Sequence, residues 1–144
     1  MTGPLIESVA RLLLAPSLVV ALAILVKGYS DVGDGFTAGV VAGLGVLLQY
    51  VAFGYRHVQA TLPVRLAPQV ALAGLLLALA VGFVPVAWGE PPVTHYPRAG
   101  EEIVHVGTLE LLTAVAFDFG VFLLVIGVVV GAVDSLARAG AREQ

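Results

Sequence analysis

The chain has 144 residues, of which 59% are hydrophobic and only 12% charged, with a mean hydropathy of +1.00. So little polar surface cannot coat a soluble globule, and lipid must solvate most of the chain. The absence of cysteine excludes disulfides, thiolate metal sites, iron–sulfur ligation and cysteine nucleophiles, and a net charge of -3 with no basic patch offers nothing to nucleic acid.

A helical span needs about 20 mostly apolar residues, whereas barrel strands alternate in polarity over about 10. The apolar runs here are continuous and long, and there are four of them. They predict an all-α membrane protein with four transmembrane helices and no soluble domain, forming a single membrane unit over residues 1–144.

The first span covers about residues 5–26. A mostly apolar run from Leu12 to Val26 after Arg11 resembles a signal peptide, but Glu7 sits in the would-be basic region. The run also ends at Lys27 without a small-residue cleavage site, so a retained helix is expected. Glu7 and Arg11, four residues apart, are placed to pair at the membrane edge. Pro16 deprives the Leu12 carbonyl of an amide partner and is expected to kink the helix. The stretch Gly28, Tyr29, Ser30, Asp31, Val32, Gly33, Asp34, Gly35 then reads as a polar, glycine-rich turn.

The second span is predicted over residues 36–55. Gly35, Gly39 and Gly43 recur every four residues as a stripe without side chains, which lets another helix approach closely. A short polar connection from Arg56 to Arg65 follows, and Pro68 suits the first turn of a third span over residues 66–88. Gly74, Ala78 and Gly82 repeat the small-residue spacing there, and Pro85 and Trp88 mark its far end. Residues 89–107, with Pro91, Pro92 and Pro97, read as an outer loop. The fourth span is expected over residues 108–133, with Asp134, Arg138 and Arg142 leading into a short polar tail.

An even number of spans puts both termini on one side, together with Arg11, Arg56, Arg65, Arg138 and Arg142. The other side holds only Lys27 and Arg98. The positive-inside rule therefore predicts cytoplasmic termini, with the Tyr29–Asp34 turn and the long loop facing outward.

Asp118 lies near the middle of the fourth span, where an ionised carboxylate costs about 2.5–3.5 kcal/mol on insertion scales. One reading is a proton- or cation-linked group facing a hydrated cavity or a neighbouring protein. The other is a carboxyl group hydrogen-bonded to a neighbouring helix and neutral through burial. Glu110 is two turns earlier, about 12 Å along the axis, too far to share a proton directly. It is read first as an interfacial residue and second as an ion-pathway candidate. Gln49 is read as a helix-packing hydrogen bond, and Asp31 and Asp34 are read first as turn residues and second as groups that draw cations to the outer surface. Glu102 and His105 resemble half of a di-iron helix motif, but the second half is missing. His57, His95 and His105 fall in loops or at helix ends with no nucleophile arrangement around them, so no catalytic residue, metal or cofactor is predicted.

Two motifs carry a family resemblance. Gly28, Gly33, Gly35, Phe36 and Gly39 fall in register with a Gly-His-x-x-Pro-Gly-Gly-Gly-Phe-x-x-Gly stretch, although Tyr29, Val32 and Asp34 depart from it. Phe117, Asp118, Gly120, Val121, Leu123, Val125 and Gly127 reproduce a Phe-Asp-x-Gly-Val-x-Leu-x-Val-x-Gly pattern in full. With the four-span layout and the proline in the first helix, the chain resembles the MnhB/MrpB subunits of multisubunit Na+/H+ antiporters and the related subunits of membrane-bound hydrogenase complexes.

The resemblance implies an accessory, non-enzymatic subunit in the cell membrane of a prokaryote. It would pack in the lipid bilayer among the other membrane subunits of a hetero-oligomeric Mrp complex that exchanges Na+ and H+. Two rival readings are an ion-translocating subunit of a hydrogenase-type redox complex and a small homo-oligomeric transporter.

Overall fold

The structure, a computed structural model, describes residues 3–27, 34–92 and 107–142, the side chains of 107–112 excepted. The expected turn at 28–33 and most of the outer loop, with Gly28, Gly33, Asp31, His95, Glu102 and His105, lie outside the described residues, as does the side chain of Glu110. The helices are α1 (Pro4–Lys27), α2 (Asp34–Phe53), the short α3 (Tyr55–Thr61), α4 (Ala67–Ala87) and α5 (Gly107–Arg142), with a 3-10 turn at Val64–Leu66. Four helical segments are long and apolar enough to cross a membrane, and there is no strand among the described residues. The fold is therefore the all-α, four-span architecture expected from the apolar runs.

The packing order is not the chain order. The main contacts join α1 to α2, α2 to α5 and α5 to α4, while the backbones of α2 and α4 do not come close to each other. The last helix has inserted between the second and the third. It runs parallel to α2, since Gly35 meets Asp118 and Gly43 meets Val129, and antiparallel to α4, since Gly74 meets Gly120 and Ala71 meets Gly127. Lipid tails are as apolar as leucine, so helices in a bilayer gain little from burying apolar surface against each other. Close backbone approach and hydrogen bonds must hold them together instead.

Between α1 and α2, Gly45 admits Ser17, whose Cβ would lie 3.0 Å from a Cβ at that glycine. The buried Gln49 Nε2 donates to the Ala10 carbonyl at 2.7 Å, which is the helix-packing bond expected of it. Helix α1 continues through Pro16, and Ser17 Oγ donates to the Leu13 carbonyl at 2.7 Å. The Arg11 guanidinium sits 5.3 Å from the centroid of the Phe53 ring at the end of α2, a cation–π contact that the pairing expected with Glu7 did not anticipate.

The stretch from Arg56 to Arg65 is more than a polar connection. Gly54, at φ +78° and ψ 171°, takes a backbone conformation that residues with a Cβ rarely adopt, and this breaks α2 from α3. Tyr55, Val58 and Leu62 then fall at helical spacing on one face. That face packs on Val46, Tyr50, Val64, Ala67 and Val130 in a small core that closes this end of the bundle. Arg56, His57 and Thr61 remain exposed.

Candidate functional site

The apolar run of the fourth span predicts a polar tail after Val133, but helix α5 continues to Arg142. As a result it carries two buried carboxylates, Asp118 at 6% exposure and Asp134 at 5%. Sixteen residues separate them, which at 1.5 Å per residue is about 24 Å along the axis. They belong to different environments.

Asp134 is the centre of a hydrogen-bond network. The Tyr50 hydroxyl of α2 donates to Oδ1 at 2.7 Å, and Gln59 Nε2 of α3 donates to the same oxygen. Arg138, one turn on, donates to Oδ2 at 2.7 Å in an i,i+4 ion pair, and Arg65 Nε donates to Gln59 Oε1 at 2.7 Å. A carboxylate only accepts, so three donors meeting on it suit the ionised form. Its partners come from three helices, so this side chain ties α2, α3 and α5 together. The network borders a cleft of about 620 Å³ lined by Tyr55, Gln59, Arg65, Asp134, Arg138 and Arg142 among others.

Asp118 sits where α5 crosses α2. Gly35 is buried against it, and a Cβ at Gly35 would run into the carbonyl of Asp118. The contact is to backbone, so the Asp118 side chain does not set the approach of the helices. Further along the stripe, Cβ atoms at Gly39 and Gly43 would fall 2.7 Å from Val125 Cβ and 2.7 Å from Val129 Cγ1. Phe36, the aromatic residue of the first motif, is exposed.

On the other side of α5 the motif glycines Gly120 and Gly127 meet α4. A Cβ at Gly120 would lie 2.8 Å from the Ala78 nitrogen and 3.0 Å from the Gly74 carbonyl, and one at Gly127 would lie 2.5 Å from the Ala71 nitrogen. Gly82 is looser, with Phe117 Cε2 3.9 Å away. The structure thus gathers Gly35, Gly39, Gly43, Gly74, Ala78, Gly120 and Gly127 along the two faces of α5, and Asp118 lies in the same stretch.

Sequence reasoning missed Tyr50, Gln59 and Asp134. The available signal was the continuing helical spacing of Val130, Val133 and Ala137 past the end of the apolar run, with an acid placed four residues before a base.

Replacing Asp134 with leucine is expected to strand the buried Tyr50 hydroxyl and the Gln59 amide, at a cost of about 1–3 kcal/mol for each unpaired group. Thermal unfolding in detergent should show a lower midpoint. A Tyr50→Phe background should reduce the loss, because one stranded group is then gone. Equal losses in both backgrounds would mean that the two side chains do not interact.

This fold and these contacts define a four-span helical membrane protein, packed through glycines and pinned at one end by a buried carboxylate. The family described as "Domain related to MnhB subunit of Na+/H+ antiporter" matches residues 5–131. Similar proteins include the B subunits of the Na(+)/H(+) antiporters of Alkalihalophilus pseudofirmus and Bacillus subtilis, each 29% identical over 93% of this chain and 92% of the relative. A probable A/B subunit of a K(+)/H(+) antiporter in Rhizobium meliloti is 32% identical over 94% of this chain, but only 14% of that longer chain is covered. The chain belongs to the MnhB-related family.

Proposed function

We propose that the protein is an accessory membrane subunit of a multisubunit cation/proton antiporter, contributing to assembly of the complex and, through Asp118, to its ion path. The observation that carries this reading is the family match over residues 5–131, which takes in α2 and the motif of α5. The names of the relatives point to Na+/H+ or K+/H+ exchange. The Rhizobium relative, a far longer chain whose name joins A and B, favours a large membrane protein as the direct neighbour.

The exposed apolar side chains of the two outer helices are consistent with that role. Leu5, Leu12, Val19, Leu22 and Val26 of α1, and Leu72, Leu76 and Phe83 of α4, are left uncovered by the bundle, where lipid or companion helices would cover them. The five arginines Arg11, Arg56, Arg65, Arg138 and Arg142 support, under the positive-inside rule, an orientation with both termini in the cytoplasm of a prokaryote. On this reading the chain serves ion movement and catalyses no covalent chemistry.

Purification in mild detergent from the native membrane tests the reading. Companion antiporter subunits are expected to elute with the chain in fixed proportion. Elution as a homo-oligomer without companions would overturn the proposal, as would companions of the nickel–iron or iron–sulfur type.

A further inference from the structure

The cleft beside Asp134 lies away from Asp118, about 24 Å along α5. Among the described residues its lining carries three guanidinium groups, Arg65, Arg138 and Arg142, and one carboxylate, Asp134. Arg65 and Arg142 are exposed. Arg65 donates through Nε to Gln59 Oε1, and its guanidinium carries two terminal amines besides. The hydroxyl-bearing side chains Tyr55 and Ser135 line the same cleft.

Next to it, sharing Val64 as a common wall, runs an apolar groove of about 230 Å³ lined by Leu18, Val46, Val70, Ile126 and Val130. The backbones of α2 and α4 do not come close to each other, and α5 contributes Ile126 and Val130 to the groove wall between them. A cationic, hydroxyl-lined cleft at the end of the spans therefore opens beside an apolar trough along them. This is the chemistry of one amphipathic anion.

We propose that this composite site binds an anionic phospholipid, with the headgroup phosphate on Arg65, Arg138 and Arg142 and an acyl chain in the groove past Val64. Planar guanidinium forks match phosphate oxygens two at a time, and basic pockets between spans on the cytoplasmic side suit acidic headgroups. The lipid would cover the polar network of Asp134 from the membrane side. Binding does not depend on which ion the complex transports.

The test uses the chain with whatever companion proteins accompany it in mild detergent, titrated with dioleoyl phosphatidylglycerol or dioleoyl phosphatidylcholine and read by native mass spectrometry. Phosphatidylglycerol is expected to bind about tenfold more tightly, and the double substitution Arg65→Gln, Arg142→Gln is expected to erase most of that preference. Arg138 is left in place because it pairs with the buried Asp134. The exposed Arg56, outside the cleft, serves as the control, and Arg56→Gln should keep the preference. Inorganic phosphate and glycerophosphoglycerol should compete poorly, since neither fills the groove. Equal binding of the two lipids, an unchanged preference in the double variant, or full displacement by inorganic phosphate would overturn the proposal. If the double variant does not assemble, the lipid comparison and the phosphate competition on the unaltered protein still decide it.

Discussion

Replacing Asp118 with asparagine is expected to lower cation/proton exchange by on the order of tenfold or more while the protein still inserts and assembles. Asparagine has nearly the same shape, so it removes the titratable group without opening a cavity. The separation of the two effects follows from the contact at this position. Gly35 packs on the backbone of Asp118, so helices α2 and α5 keep their approach whatever the side chain. The side chain itself is buried, at 6% exposure, in a stretch where an ionised carboxylate is costly. On the proposed reading, this is the group that takes up and releases a proton or cation. Exchange measured in everted membrane vesicles with a pH-sensitive dye gives the readout, with the amount of each companion protein checked in the same vesicles. Asp118→Glu, which keeps the acid, should restore part of the activity. Normal exchange by an assembled complex carrying Asp118→Asn would remove the ion-path role and leave Asp118 as a packing residue.

The chain was most legible where physics acts locally. Four long apolar runs can be satisfied in hydrocarbon only as helices, so the span class followed from composition and run length. The order of the spans was not legible in the same way. Small-residue stripes on two helices say that something approaches closely, but not which neighbour does. The insertion of α5 between α2 and α4 needs the glycines at 120 and 127 as well as those at 35, 39 and 43, and only the packing in three dimensions matches one set to the other. Asp134 was misplaced for a different reason. It stands one residue beyond the apolar run and before two arginines, which looks like a solvated tail. Its partners Tyr50 and Gln59 lie 84 and 75 residues away in the chain. No local pattern announces a bond at that separation. Helix α3 was short enough for Val58, and for Leu62 just beyond its end, to pass as part of a loop.

Gly127→Leu is expected to disrupt the fold at the seam between α4 and α5. A Cβ at this position would lie 2.5 Å from the Ala71 nitrogen, 2.7 Å from the Ala67 carbonyl and 2.8 Å from the Ala71 Cα, all of them backbone atoms of α4. Backbone cannot rotate aside as the end of a long side chain can, so helix α4 must move away from α5 as a body. Overpacking of a well-filled interior costs about 1–3 kcal/mol, and the upper end of that range applies where no side chain can yield. The movement would not stay local, because Gly74 and Gly120 form a second backbone contact between the same two helices. Loss of monodisperse protein after detergent extraction, or a clearly lower unfolding midpoint, is the expected result, with Gly127→Ala showing a smaller version of it. Gly140, where an added Cβ would meet nothing within 4 Å, supplies the control for helix propensity alone. Since alanine favours a helix over glycine, Gly140→Ala should hold or slightly raise stability. If Gly127→Leu proves as stable as Gly140→Ala, helices α4 and α5 do not touch through their backbones, and the bundle of spans would have to be held by something other than its glycines.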